Sequence, residues 1–252
     1  MTDLSTWQRA STDPGPFETL ARKMIYGQAG PGQGPQAQAL AQDASHPLGA
    51  HYHEVAQFQV ITGGSGRIGP HMIADGQAHY VDRHTVYGPV KPALEGLRYV
   101  TLRASHDPGP SWMPDAAGRL ASLKADEPTA PHRNVVLDLG YAVAPVWTDL
   151  VNEPDGLRVA VIVTAAHWTL EPFQMAGAGG YALLLFGRLT APGMAWDLHG
   201  PGSLFFDPSI EDIRAPSVLW LPAGAVLEGR TERPTRLVAL QFPSNIRSGT
   251  EA

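Results

Sequence analysis

Two histidines one residue apart open the stretch His51-Tyr-His-Glu-Val-Ala-Gln-Phe-Gln-Val-Ile-Thr-Gly-Gly64. On a strand, residues i and i+2 share a face, so His51 and His53 can present imidazole nitrogens to one ion. Gln57, after a turn, can add a neutral carbonyl oxygen, a poorer partner for a divalent ion than a carboxylate. Tyr87 can act as a proton donor or a substrate anchor, or can ligate as phenolate under the field of a bound cation. His84 lies three residues earlier on the same turn and is a second candidate for catalysis. Six of the ten histidines (His46, His51, His53, His71, His79 and His84) fall within 39 consecutive residues, which places a site in this region without saying which of them take part. The competing reading is a buried polar pair at His51 and His53, Gln57 as a hydrogen-bonding wall, Tyr87 as packing, His84 and His71 facing solvent, and Asp82 paired with Arg83.

The rest of the chain must position these groups, and its composition limits how. Charged residues make up 17% of the 252, below the roughly 25% of ordinary globular proteins, while Gly (27) and Pro (23) are scattered without a period. That favours many short strands joined by tight turns. A net charge of -6 with no Lys/Arg cluster excludes the electrostatic footprint of a nucleic-acid or anionic-membrane binder. With no cysteine, disulfides and thiolate chemistry are excluded, so any metal must use His, carboxylate, amide or phenol. No basic start precedes an apolar run, and no apolar segment approaches the ~18 residues of a membrane span. A soluble, cytoplasmic protein is expected, with a small molecule as its partner.

Short β-type runs ("QAQALAQ", "AHYHEV", "FQVITGG", "AHYVD", "LRYVTLRA") fill residues 36–102 between Gly, Pro, Asp and Ser, at the spacing of a barrel or sandwich. Residues 105–134 break the rhythm with prolines and one helical candidate at Ala116–Lys124. Strand patterns return in "NVVLDLGYAV", "LRVAVIVTAAHWTL", "YALLLFGRLT", "GSLFFD", "SVLWLPAG" and "TRLVALQF". Each half ends in a strand, a turn, a strand, a gap and a final strand, so a duplicated barrel is the economical expectation. The predicted domains are 1–104, a barrel with a short N-terminal extension; 105–134, a linker; and 135–252, a second barrel.

The stretch from His51 to Gly64 and the segment after it resemble the cupin superfamily. Its first motif opens on Gly, places His-x-His and then Glu, and closes on Gly. Here His51, His53 and Gly64 match, Gln57 stands where Glu belongs, and Ser45 takes the opening position. In the second motif, Gly76 matches the first glycine, whereas Asp82, His84, Tyr87 and Lys91 replace Pro, Gly, His and Asn. The resemblance thus implies His51, His53, Gln57 and Tyr87 at the four metal positions, two of them with the family's residue. In the second half Pro222 and Gly224 match, but Leu227, Gln174, Ala176 and Gly180 fall where ligands would stand, so that barrel is expected to hold no metal. The implied fold is all-β, two double-stranded β-helix, jelly-roll-like barrels in tandem: a bicupin.

Fold alone does not choose a reaction. The leading expectation is a metal-assisted enzyme acting on a small polar molecule in the N-terminal barrel, of dioxygenase, lyase or isomerase type. His51, His53, Gln57 and Tyr87 would hold a divalent Fe, Mn, Zn or Ni ion, and Tyr87 and His84 would take catalytic roles. The alternative is a non-catalytic bicupin that binds or senses a small ligand without metal. A third reading makes both barrels scaffolding for a homodimer.

Overall fold

The computed structural model describes residues 8–9, 20–26, 34–140, 145–190, 212–214 and 217–244. The strands begin with β1 (Gln8–Arg9) and β2 (Leu20–Tyr26), followed by β3 (Gln36–Gln42), β4 (His51–Tyr52) and β5 (Gln57–Ile68). After these come β6 (His71–Ala74), β7 (Gln77–Val81), β8 (Val90–Arg103), β9 (Ser111–Trp112), helix α1 (Ala117–Asp126) and β10 (Asn134–Asp138). Residues 34–138 belong to one compact unit and residues 139–244 to another.

In the N-terminal unit the main sheet runs β1-β2-β3-β8-β5-β7-β10, with β6 hairpinned onto β5. Over residues 36–40, 57–61, 78–81 and 99–103 the strands are buried on both faces, because Ala37, Phe58, Val60, Ala78, Tyr80 and Leu102 are as inaccessible as the residues between them. The barrel-facing set is fixed by period 2 from an apolar cluster containing Leu40, Ile61 and Tyr99. Two residues further along, Gln38, Thr101, Gln59 and His79 face one another across β3, β8, β5 and β7. Beyond them Gln36, Arg103, Gln57 and Val81 form the next row. One end of the barrel interior is therefore apolar and the other carries amides, an imidazole and a guanidinium. The alternation in "QAQALAQ" now has a cause: its glutamines turn inward and its alanines outward.

The segment expected to be a linker is built into this unit. Strand β9 pairs with β4, setting Trp112 opposite His51 and Ser111 opposite Tyr52. Helix α1 lies where a helix was expected, and the Arg119 guanidinium meets the Glu54 carboxylate. Strand β10, expected to open the second barrel, instead lies antiparallel to β7 with Asn134 opposite Val81. Asp82 holds the approach to it, accepting from the Arg133 backbone N–H at 2.7 Å and from Arg133 Nε at 2.8 Å. Asp82 and Arg83 are thus not partners, since Arg83 reaches Glu127 at 2.9 Å. Prolines gave the segment the look of a connector because they prevent long regular elements, yet they do not prevent two-residue pairing or side-chain anchoring.

The second unit has β11 (Thr148–Asn152), β12 (Arg158–Thr164), β13 (Phe173–Gln174), β14 (Gly180–Phe186), β15 (Arg188–Thr190) and β16 (Asp212–Arg214). It continues with β17 (Ser217–Leu221), β18 (Val226–Leu227), β19 (Arg230–Thr231) and β20 (Thr235–Gln241). The sheet β11-β12-β20-β14-β17 is accompanied by a β13-β18 pair and a β16-β15-β19 sheet. The expected strand "GSLFFD" lies outside the described residues. The core is apolar, with Ile162, Phe173, Met175, Leu184, Leu221 and Leu227 among its members. Gln174 and Ala176, placed by sequence at ligand positions, are exposed, while Phe173 and Met175 point inward. The expectation fails by one residue of strand parity, which exchanges the faces.

The glycine that closes the first motif has a steric role. Gly64 sits at φ +74° where the β5–β8 register shifts, and a Cβ there would come 2.1 Å from the Gly96 carbonyl oxygen. Gly64→Ala should therefore cost clearly more than the ~1–2 kcal/mol of the left-handed conformation alone. Urea unfolding of the variant checks this, and a loss under ~1 kcal/mol would show that the ladder yields there.

Candidate functional site

Strand β4 is only two residues long, but it is held on both sides. His51 exchanges backbone hydrogen bonds with Tyr87 at 3.0 and 2.9 Å, and its other neighbour is β9. This bridge brings Tyr87 beside the histidines although 36 residues separate it from His51. The fixed turn therefore joins three predicted site residues, and β5 contributes the fourth, Gln57.

The side chains form a chain of hydrogen bonds whose direction follows from its ends. The Gly49 carbonyl can only accept, so at 2.8 Å it takes the proton of His51 Nδ1. The lone pair of that neutral ring is then on Nε2, and Tyr87 donates its hydroxyl to it at 2.8 Å. Gln57 donates its amide nitrogen to the Tyr87 oxygen at 2.6 Å and accepts from Arg103 Nε at 3.0 Å. The order is Arg103 to Gln57 to Tyr87 to His51 to Gly49, each donor finding an acceptor.

A second branch leaves the same guanidinium. Arg103 Nη2 lies 3.2 Å from Asp107 Oδ2, and the same oxygen is 2.7 Å from His53 Nδ1. His53 is edge-on to His51 at 5.2 Å between ring centres and stacks at 6.1 Å on Tyr87. Trp112 packs on His51 at 4.8 Å. A neighbouring polar pair completes the interior, His79 lying between Gln59 Oε1 and Asn134 Oδ1 at 2.8 Å each. A neutral His79 ring donates from one nitrogen and accepts at the other, so one of the two amides presents its nitrogen to it.

Burial sets the protonation states. It drives His51 down to about 3 and His79 down to about 4, the first helped by the nearby His53 and the second opposed by its bond to Asn134. His53 is lowered by burial too, with Asp107 pulling the other way. Burial raises Tyr87, so its proton stays on the phenol. Asp107 would rise on burial, but Arg103 and the bond from His53 outweigh this and hold its carboxyl below the usual range. At neutral pH the four predicted ligands are uncharged, and the Arg103–Asp107 charges balance.

His84 is not part of this group. Its backbone N–H bonds the His53 carbonyl at 2.9 Å, but its ring packs on Tyr52 and lies 3.7 Å from the Glu127 carboxylate beside α1. Tyr52 alternates with His51 and His53 along the chain, which puts His84 on the other side of β4. Sequence reasoning missed Arg103, Asp107 and Trp112. Parity with Tyr99 and Thr101 could have turned Arg103 inward; no pattern in "SHDPGP" pointed Asp107 at His53.

The sequence implies a divalent ion held by His51, His53, Gln57 and Tyr87, and the donor set does not fit one. His51 Nε2 already accepts from Tyr87, the Tyr87 oxygen accepts from the Gln57 amide, and the Gln57 oxygen accepts from a guanidinium. The field of Arg103 reaches both imidazoles, where it disfavours added positive charge, and the one nearby carboxylate is already paired with it. Among the described residues no group of three or more His, Asp and Glu is arranged to hold a metal ion.

Two measurements test this geometry. Tyr87→Phe leaves His51 Nε2 and the Gln57 amide without their partner, so a loss of roughly 2–4 kcal/mol in denaturant unfolding is expected, and a loss under ~0.5 would mean the chain of bonds carries little. For His79, the unfolded ring binds a proton below about 6.5 while the folded ring stays neutral to about 4. Stability should therefore fall as pH drops through that window, by up to roughly 3 kcal/mol, and His79→Gln should flatten that part of the pH profile.

No protein family matches the chain at the sequence level, and no curated protein does. Solved structures do. A bacterial pirin, YhhW, from Escherichia coli in complex with nickel(II) aligns over 95% of this chain and 96% of its own, with TM-score 0.58 at 10% identity. An 11S allergen from Cocos nucifera aligns over 84% and 81%, with TM-score 0.56 at 11% identity. A variant of Bacillus subtilis oxalate decarboxylase aligns over 89% and 77%, with TM-score 0.51 at 11% identity. Identities this low speak for the fold alone. Among the described residues no helix is long and apolar enough to cross a membrane. The all-β architecture and these likenesses together show the fold, two barrels of the cupin type in tandem.

Proposed function

We propose that the N-terminal barrel binds a small polar molecule through hydrogen bonds and does so without a divalent ion. The observation that carries this reading is the one-way chain from Arg103 through Gln57 and Tyr87 to His51, which engages three of the four side chains a metal would need. With Tyr87 raised and His51 lowered, neither is a ready acid or base near neutral pH, which supports recognition over proton transfer. A cytoplasmic location and a homodimer are carried forward from the sequence as part of this proposal.

One observation favours the metal-assisted enzyme instead. Both histidines commit Nδ1 to a fixed acceptor, Gly49 or Asp107, and this leaves Nε2 with the lone pair that a metal takes. In that reading Tyr87 acts in catalysis; His84 acts only on the far side of β4.

Metal analysis of chain purified without a His-tag or chelator separates the two. Far less than one ion per chain is expected, together with a small molecule released on denaturation and identified by mass spectrometry. Gln57→Glu should form an ion pair with Arg103 and gain no metal. One Fe, Mn, Zn or Ni per chain, lost in the His51→Ala/His53→Ala double variant, would replace the binding reading by the metal-assisted one.

A further inference from the structure

We infer that Asp107 is a positioning residue for the candidate site, fixing His53 as the Nδ1–H tautomer so that the ring turns a lone pair, and not an N–H, toward whatever the barrel binds. The inference rests on the reading of this barrel as the binding site. It gives a role to a residue from the segment after β8, beside the groups that β4, β5, β8 and Tyr87 supply.

The geometry gives Asp107 that role. Its Oδ2 accepts from His53 Nδ1 at 2.7 Å with both side chains buried, and an ionised carboxylate can only accept, so the ring proton lies on Nδ1. Arg103 holds the same oxygen at 3.2 Å and keeps the carboxylate charged. Besides these two contacts the Gly109 backbone also acts on the carboxylate, helping to hold it ionised.

The backbone under Asp107 is anchored as well. Gln36 Oε1 accepts from the Asp107 N–H at 3.2 Å, and Gln36 Nε2 meets His106 Nδ1 at 2.8 Å. A glutamine of β3 thereby clamps Asp107 and its neighbour His106. A packing role alone would need none of this direction. A buried carboxylate aimed at one ring nitrogen, supported by a guanidinium and held by its backbone, is the arrangement that orients a histidine.

His51 supplies an internal reference. Its Nδ1–H is fixed by the Gly49 carbonyl and owes nothing to Asp107. Imidazole 15N spectra of the full chain, labelled at histidine, stripped of metal with EDTA and assigned through His51→Gln and His53→Gln, read both rings directly. Both should be Nδ1–H in the parent chain. In Asp107→Ala the His53 signals should move to Nε2–H or to a mixture of tautomers while the His51 signals stay, and Asp107→Asn, which keeps an acceptor oxygen, should restore Nδ1–H at least in part.

An Nε2–H tautomer at His53 in the parent overturns the inference without any variant. So does an unchanged His53 in Asp107→Ala with His51 intact. If Asp107→Ala does not fold, the parent spectrum and Asp107→Asn still decide. A metal found in the purified chain would defeat the binding reading and leave this result standing, since the spectra are taken on stripped protein.

Discussion

The buried guanidinium of Arg103 is the group on which the N-terminal interior depends. A charge removed from water costs several kcal/mol unless it is paired and its donors are met. Here one side of the fork goes to the Asp107 carboxylate and the other to the Gln57 amide. Because a guanidinium can only donate, it sets the polarity of both branches: Gln57 must turn its oxygen to Arg103 and its nitrogen to Tyr87, and Asp107 must stay ionised to receive it. Of the imidazoles, His53 takes its orientation from these choices through Asp107, whereas Gly49 orients His51.

Much of this was legible in the sequence, and the remainder failed for reasons that can be named. The His-x-His spacing on a strand brought His51 and His53 to one face, and the motif alignment added Gln57 and Tyr87, which the fold does bring together. Parity carried across a turn was less dependable: His84 counts close to Tyr87 along the chain, yet β4 stands between them. In the second unit a one-residue error placed Gln174 and Ala176 where Phe173 and Met175 stand. Local patterns fix which residues alternate but not which of the two faces turns inward. Hydrophobicity usually decides that, and in "QAQALAQ" it gives the opposite answer.

The segment 105–134 shows a second kind of limit. Its composition describes a connector, because prolines and glycines exclude long ladders. Its role comes from single contacts instead: Ser111–Trp112 against β4, Arg133 on Asp82, and Asp107 on His53. Each joins residues at least 50 positions apart along the chain. A one-residue anchor has no periodicity to detect, so the residue that governs His53 lay in the stretch that looked least structured.

The two units show how little of the chemistry the cupin fold itself dictates. In the C-terminal one, Phe173, Met175 and Leu227 fill the interior with hydrocarbon. In the N-terminal one the corresponding space holds two imidazoles, a phenol and an amide, all neutral, around one balanced ion pair. That the same architecture serves a pirin bound to nickel, a decarboxylase and an 11S allergen agrees with this: the barrel supplies inward-facing positions, and the residues on them supply the function. Replacing a metal's anionic ligand by an amide alone would leave a weak site. Placing a guanidinium against that amide goes further, because it fills the position's acceptor with a donor that never loses its charge. The Gln in place of Glu at position 57 and the presence of Arg103 are therefore one feature, an amide whose oxygen is committed to a guanidinium and whose nitrogen is committed to a phenol.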